Sequence, residues 1–529
     1  MRACSEGHSS CTVRPTRSDA CTPISSEKRR LSASADGLPA QEFKAIRFRV
    51  GLNSKLNASD PQDWPADHPL HPDVCGLHWG WRSGYVFLAL EGHWSPTPGK
   101  TGGYSYHLAG TNHAMMVELP VKFSGARSTT VRIGLDAAAI LDRGKVLEES
   151  TSTHSRDGDP LAATLMDRTV KSFRVLGVQT DLYQPVELVP TVVRTLPTNA
   201  TPYRLDISER LPKVNLPADN PLTVEGVALG RRLFHEPRLS RSHSQSCASC
   251  HERSKAFTDG RAFSLGESGQ RGRRNSMPLV NLAWAKEFFW DGRAKSLREQ
   301  VLLPIQDTHE MNETLERVTD KLREDSDYAT AFKAAFGSPD VSANRIALAL
   351  EQFLLTLVSQ ESKFDRAARN LTPLTEQEQR GLQLFVTEHD PKRGLRGADC
   401  FHCHGGNLFS NHQFINNGLK PDANDPGRME TTQIDSDRNK FKVPSLRNIA
   451  LTAPYMHDGR FATLEEVIDH YNGSLHRSAT LDPNLAKHPE TGLGLSAEDK
   501  AALVAFLKTL TDEQFVSAPT TTNQFTKTK

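Results

Sequence analysis

The sequence predicts a multidomain chain in which an N-terminal β-sandwich is followed by two mostly α-helical modules. Three observations carry that expectation. Short alternating apolar segments fill much of residues 43–200, two cysteine pentapeptides of the same form lie far apart downstream, and the residues around those pentapeptides repeat each other. A chain of 529 residues has room for three or four domains at roughly 150 residues each. Its 37% hydrophobic and 24% charged residues are those of a globular protein and exclude collagen, coiled coil and membrane bundle. Lys and Arg total 64 against 63 Asp and Glu, a net charge of +1 that sets up no overall field for nucleic acid or anionic lipid. No run approaches the roughly 18 consecutive apolar residues of a transmembrane segment.

Residues 1–42 are polar, rich in Ser and Arg, and lack the apolar core of about 7–15 residues that a secretory signal needs. They are expected to be disordered or to reflect a mis-assigned start. In residues 43–200 the segments Phe43–Val50, Tyr85–Glu91, Met115–Phe123 and Thr129–Leu135 alternate and are punctuated by Gly, Pro and polar residues. They read as short strands of the sandwich, followed by a linker.

Of the eight cysteines, Cys4, Cys11, Cys21 and Cys75 are scattered. The other four form Cys247-Ala248-Ser249-Cys250-His251 and Cys400-Phe401-His402-Cys403-His404, the C-x-x-C-H pattern of covalent c-type haem attachment. Thiols three residues apart on a helical turn face the same side, where both can bond the haem vinyl groups. The following His then lies beneath the iron as proximal ligand. A thioredoxin-like dithiol has no need of the adjacent His, and the two pairs of a zinc site are usually only about 15–20 residues apart. Two haems c are the expectation, held by Cys247, Cys250, His251 and by Cys400, Cys403, His404.

The surroundings duplicate. Gly230-Arg231-Arg232-Leu233-Phe234 precedes the first motif and Gly381-Leu382-Gln383-Leu384-Phe385 the second. Downstream, Asp291-Gly292-Arg293 with Ser296, Leu297 and Glu299 matches Asp458-Gly459-Arg460 with Thr463, Leu464 and Glu466, which sets Trp290 in register with His457. Ile346, Leu350, Phe353, Leu354 and Leu357 recur at helical spacing, as do Leu503, Phe506, Leu507 and Leu510 behind a Ser496 N-cap; both stripes read as core. The expected domains are 201–370 and 371–515, one haem each, with a disordered tail at 516–529.

With these motifs, Phe289–Ala294 and the run from Lys442 to Arg460, residues 205–515 resemble the bacterial di-haem cytochrome c peroxidases, a family that includes MauG and MbnH. The resemblance implies two cytochrome c-type haem domains, a peroxidatic first haem and a second haem that handles electrons. In family members whose peroxidatic iron is capped at rest, a His stands where this chain has Glu267, implying a first iron open to peroxide as in MauG; His309 is the rival ligand. The family's distal acid and its neighbour fall on Glu310 and Gln300, and a carboxylate there can move a proton between the peroxide oxygens. Read without the family, Glu310 is an ordinary solvated acid.

At the second iron the family's sixth ligand falls on Tyr471, with His470 as competitor. A phenolate in place of the more usual Met favours higher oxidation states. Trp290 takes the place of an aromatic residue that carries electrons between the haems, and as a bare Trp it would equally be core. A calcium site carries over to Asn275, Thr452 and Pro454, the last two through carbonyl oxygens.

The stretch His78-Trp79-Gly80-Trp81 with Phe87–Gly92 resembles the copper-binding MbnP proteins, partners of MbnH-type enzymes that oxidise a protein Trp with peroxide. Candidate copper ligands are His71, His78, His107 and His113, near Met115 and Met116, since imidazole suits copper and thioether sulfur suits cuprous ion. Each His taken singly reads as a surface or turn residue. Trp79 and Trp81 are candidates for modification or for core.

The function expected is a periplasmic di-haem peroxidase that takes hydrogen peroxide and oxidises a protein Trp. One alternative is a peroxidase drawing electrons from a small cytochrome c or similar donor. Another is a copper-binding or electron-transfer protein without turnover. Haem c attachment takes place outside the cytoplasm, and the missing export signal is set against it.

Overall fold

The computed structural model describes residues 2–8, 21–25, 42–60, 64, 70, 78, 84–97, 100–110, 114–124, 128–155, 159–181, 200–391 and 394–517. They fall into two units, Met1–Thr191 with Arg477–His488, and Val192–His476 with Pro489–Lys529.

The first unit is strand-rich. Its main sheet has seven strands: β1 (Arg2–His8), β2 (Cys21–Ser25), β3 (Glu42–Val50), β4 (Val86–Thr97), β5 (Lys100–Ala109), β6 (Met115–Ser124) and β8 (Ser152–Thr153). They run in the order β6-β3-β1-β4-β5-β8, with β2 beside β1. β7 (Ser128–Leu135) and β9 (Phe173–Asp181) form a separate antiparallel pair. Period-two alternation divides the apolar residues between two faces. Leu88, Leu90, Tyr106, Leu108, Val117 and Leu119 pack with the helix Pro160–Lys171 through Ala162 and Leu165. Tyr85, Phe87, Ala89 and Ala109 join Leu52 and Leu70 on the other face. The layer opposite the main sheet is thus largely helical, with the β7–β9 ladder beside it, where the sandwich expectation has strands alone.

Two expectations about boundaries need correction. Part of residues 1–42, expected to be disordered, forms β1 and β2; β1 pairs Ser5 with Val50 and Ala3 with Leu88, giving the edges of β3 and β4 partners for their backbone groups. Residues 477–488, expected within the second haem domain, group with the first unit. The reason is local: the Leu481 carbonyl lies against the His93 imidazole, and the Arg477 guanidinium fastens the segment by donating to the carbonyls of Ala486 and His488.

The second unit holds two helical cores built on one plan. Helix Val224–Phe234 packs on helix Ala343–Leu355, and helix Glu376–Phe385 on helix Ala497–Lys508. The contacts repeat to the atom. A Cβ on Gly230 would fall 1.9 Å from the Ala349 carbonyl and 2.8 Å from Phe353 Cβ, and one on Gly381 would fall 2.0 Å from the Ala502 carbonyl and 2.7 Å from Phe506 Cβ. Only glycine allows the helices so close, which explains its recurrence in both modules. The helical stripes expected as core are buried, with Ile346, Leu350, Phe506 and Leu510 at 0% exposure.

Candidate active site

The first pentapeptide forms a short helical turn, Cys247–Cys250, behind a Ser246–Ser249 capping box. It opens on a cavity of about 590 Å³ lined by Cys247, Cys250, His251, Phe289, Trp290, Arg293, Gln300, Glu310 and Lys442, among others. Both cysteines are free thiols, and burial pushes them up to about 12 and about 11. His251 Nδ1 lies 2.8 Å from the Phe257 carbonyl, which can only accept, so Nδ1 is the donor and Nε2 keeps its lone pair. Burial lowers the pKa of this His, keeping it neutral as a metal ligand requires.

The second pentapeptide repeats the arrangement on the turn Phe401–His404. His404 Nδ1 donates to the Phe409 carbonyl at 3.0 Å and burial brings its pKa to about 4; Cys400 and Cys403 are in no disulfide. Two cysteines outside any disulfide and a neutral His oriented through Nδ1, twice over, fit covalently bound haem. Phe257 and Phe409 both hold positive φ, 61° and 53°, so the same backbone kink presents the accepting carbonyl in each module.

Of the residues expected around the first iron, Glu310, Gln300 and Trp290 all line the cavity. Gln300 ends the short helix Leu297–Gln300. Glu310 is pushed up to about 7 by burial and by nearby Asp307, against the opposing pull of Arg293 and His309. Glu267 is tied by its N–H to the Glu310 carbonyl at 2.7 Å. His309 is exposed at the cavity rim, 3.4 Å from the Asp307 carboxylate. Trp290 is buried and donates through Nε1 to the Asn275 carbonyl at 2.9 Å, while its own carbonyl accepts from Lys442 N–H at 2.7 Å. It therefore lies at the seam between the modules.

Sequence reasoning missed two cavity residues. Arg293 lies over the Phe289 ring at 3.5 Å. Buried Lys442 donates from Nζ to the Glu287 carbonyl, and burial brings it down to about 8. Lys442 opens the Lys442–Asn448 run, so its position was visible and its direction was not.

Near the second haem motif, Tyr471 and His470 sit on the helix Leu464–Gly473. His470 Nε2 donates to the Asn417 carbonyl at 3.0 Å, and Asn417 Nδ2 donates to both Tyr471 Oη and Met456 Sδ at 3.4 Å. Asn275, expected at a calcium site, donates its N–H to the His457 carbonyl at 2.7 Å and its side-chain amide to the Arg261 carbonyl at 2.7 Å. That holds it against the segment carrying Thr452 and Pro454.

In the first unit, His71, His113, Trp79 and Trp81 lie outside the described residues. His78 stacks edge-on against Tyr85, and burial lowers it to about 4. His107 is buried on β5, with Nε2 2.8 Å from the Glu91 carboxylate and Nδ1 3.2 Å from His154 Nε2. Neither His154 nor Glu91 was expected. Glu91 is a charge amid the apolar run of β4, and that was the signal.

No helix among the described residues is long and apolar enough to cross a membrane. The family model for di-haem cytochrome c peroxidase matches residues 224–372, and that for MbnP matches residues 16–155. The chain is similar to the methylamine utilization protein MauG of Methylorubrum extorquens, 38% identical over 56% of this chain and 81% of that protein. It is 37% identical to cytochrome c551 peroxidase of Nitrosomonas europaea, over 56% of this chain and 83% of that one. A crystal structure of a MauG-like protein associated with microbial copper homeostasis matches 61% of this chain and 100% of its own, at 35% identity and a TM-score of 0.55. The chain therefore belongs to the di-haem cytochrome c peroxidase and MauG family of oxidoreductases, joined here to an MbnP-type domain.

Proposed function

We propose that this oxidoreductase is a MauG-like enzyme that spends the oxidising power of hydrogen peroxide on a protein Trp, first of all Trp79 or Trp81 of its own N-terminal domain. The observation that carries the reading is Glu310 at the wall of the cavity that Cys247, Cys250 and His251 open on, with Glu267 at the place of the capping His. When bound, each haem supplies a redox-active iron held by His251 or His404. Glu310 takes the proton from one peroxide oxygen and returns it to the departing one. Its raised pKa suits both halves of that transfer at neutral pH. Gln300 orients the peroxide by hydrogen bonding, and Trp290, at the seam, passes electrons between the modules.

Tyr471, which accepts a hydrogen bond from Asn417, would hold the second haem together with His404 and supply a phenolate donor to it. Asn275 with the Thr452 and Pro454 carbonyls holds calcium. His107, with His78, His71 and His113 as further candidates, binds copper in the N-terminal domain, and the adjacent His154 joins that set. The compartment is the periplasm, where haem c is attached.

A second reading, favoured by the similarity to cytochrome c551 peroxidase, takes electrons from a small cytochrome c. Intact and peptide mass spectrometry of the haem-loaded protein, before and after stoichiometric peroxide, separates the two. Oxidation of Trp79 or Trp81 that disappears in Glu310→Gln supports the first. Peroxide consumed with both Trp residues intact, and fast turnover with reduced cytochrome c, supports the second.

A further inference from the structure

Away from the peroxide cavity, Glu388, Asp399 and His402 each bring a ligand atom to within 4.8 Å of the others. Glu388 and Asp399 are 4% and 7% exposed, and His402 Nε2 lies 3.1 Å from the Asp399 carboxylate. The three donors stand on backbone that the fold locks together. Glu388 leads into β10 (His389–Asp390), which pairs antiparallel with β11 (Leu395–Arg396). Gly397 N–H donates to the Glu388 carbonyl at 3.0 Å and Asp399 N–H to the Thr387 carbonyl at 3.1 Å. A Cβ on Gly397 would fall 1.7 Å from that Thr387 carbonyl, so the approach requires glycine. His402 comes from the haem-attachment turn, its ring stacked on Phe401 at 4.1 Å.

Two buried carboxylates brought this close repel each other, and a cation between them offsets the repulsion and the lost hydration. The donor set also selects the cation. Imidazole nitrogen argues against calcium and magnesium, and the absence of sulfur from these three donors argues against cuprous ion.

We propose that Glu388, Asp399 and His402 form a binding site for a divalent first-row transition ion of the zinc type, set directly behind the second haem attachment. His402 lies between Cys400 and Cys403, so a positive charge held there favours the reduced state of the second haem and raises its midpoint potential.

The test uses the full-length, haem-loaded protein, stripped with a chelator and titrated with Zn²⁺, with elemental analysis after gel filtration. The expected result is Zn²⁺ retained by the wild type and affinity at least tenfold weaker in Glu388→Gln and in His402→Gln, at unchanged haem content. Wild-type affinity in both variants, or no Zn²⁺ retained by the wild type, overturns the proposal. Should His402→Gln fail to load haem, Glu388→Gln decides. It lies outside the haem motif, and lost Zn²⁺ at full haem content supports the site while undiminished Zn²⁺ refutes it.

Discussion

The two haem modules share a scaffold down to the glycine at which their helices cross, yet they diverge after Asp-Gly-Arg. In the second module, Thr463 caps a helix that runs from Leu464 to Gly473 and carries His470 and Tyr471 on its last turns. In the first, Ser296 caps the equivalent helix, which stops at Gln300, and a second short helix, Leu303–Gln306, carries Pro304 in its first turn. Counting from Asp291-Gly292-Arg293 against Asp458-Gly459-Arg460, Pro304 falls on the position of Tyr471. Proline supplies no N–H and crowds the preceding turn, so the helix breaks there and the chain turns toward Glu310. On the proposed assignment, that break separates a module that delivers an iron ligand from one that leaves room for peroxide.

The comparison breaks most sharply at Glu310. Glu310→Gln keeps the size of the side chain and removes the base, so the reaction with peroxide should slow roughly 100- to 10,000-fold. Stopped-flow spectroscopy of the haem bands measures it, and an unchanged rate would remove the acid–base role. Matched substitutions Gly230→Val and Gly381→Val test the shared scaffold. Each places carbons inside a backbone carbonyl contact, and each should cost about 3 kcal/mol by overpacking. Denaturant unfolding followed by circular dichroism checks this; equal losses sharpen the equivalence of the modules, and a loss in only one breaks it.

The parts legible in the sequence are those set by local chemistry. Both pentapeptides, the four strands beginning near Phe43, Tyr85, Met115 and Thr129, and the Ser496 cap fall where periodicity and motif spacing put them. Strand β5 was missed because Gly102-Gly103 reads as a turn, although Tyr104, Tyr106 and Leu108 alternate behind it. Strands β1 and β2 carry no alternation and take their form from their neighbours, as strand propensity is a property of context. The same limit applies to side chains. Cys-x-x-Cys-His announces its cofactor because all the donors lie within five residues, whereas His107 meets Glu91 and His154, and Glu388 meets Asp399, only after the chain has folded back on itself.

Tyr471→Met tests the second module. A thioether in place of phenolate should raise the potential of the second haem by at least about 0.1 V, within the ~0.8 V that axial ligands span. Spectroelectrochemistry reads the change, and the peroxide rate at the first module should hold. A potential that does not move would place the sixth ligand elsewhere, with His470 next in line, although its Nε2 is bonded to the Asn417 carbonyl.

The smallest effect is a pH dependence that belongs to one module. The groups acting on Glu310 are Asp307, which raises its pKa further beyond burial, and Arg293 and His309, which lower it, for a net value of about 7. A base must be ionised to accept the peroxide proton, and the ionised fraction rises as pH passes upward through that value. Between pH 6 and pH 8 the fraction grows from about one tenth to about nine tenths, so the rate should rise about tenfold. Arg293→Gln removes the largest of the opposing charges and should move the midpoint of this profile to higher pH. In Glu310→Gln the profile should flatten at its lowered rate. A rate that instead falls between pH 6 and pH 8 would require the protonated carboxyl as a donor at the slow step, and Glu310 would then serve the departing oxygen alone.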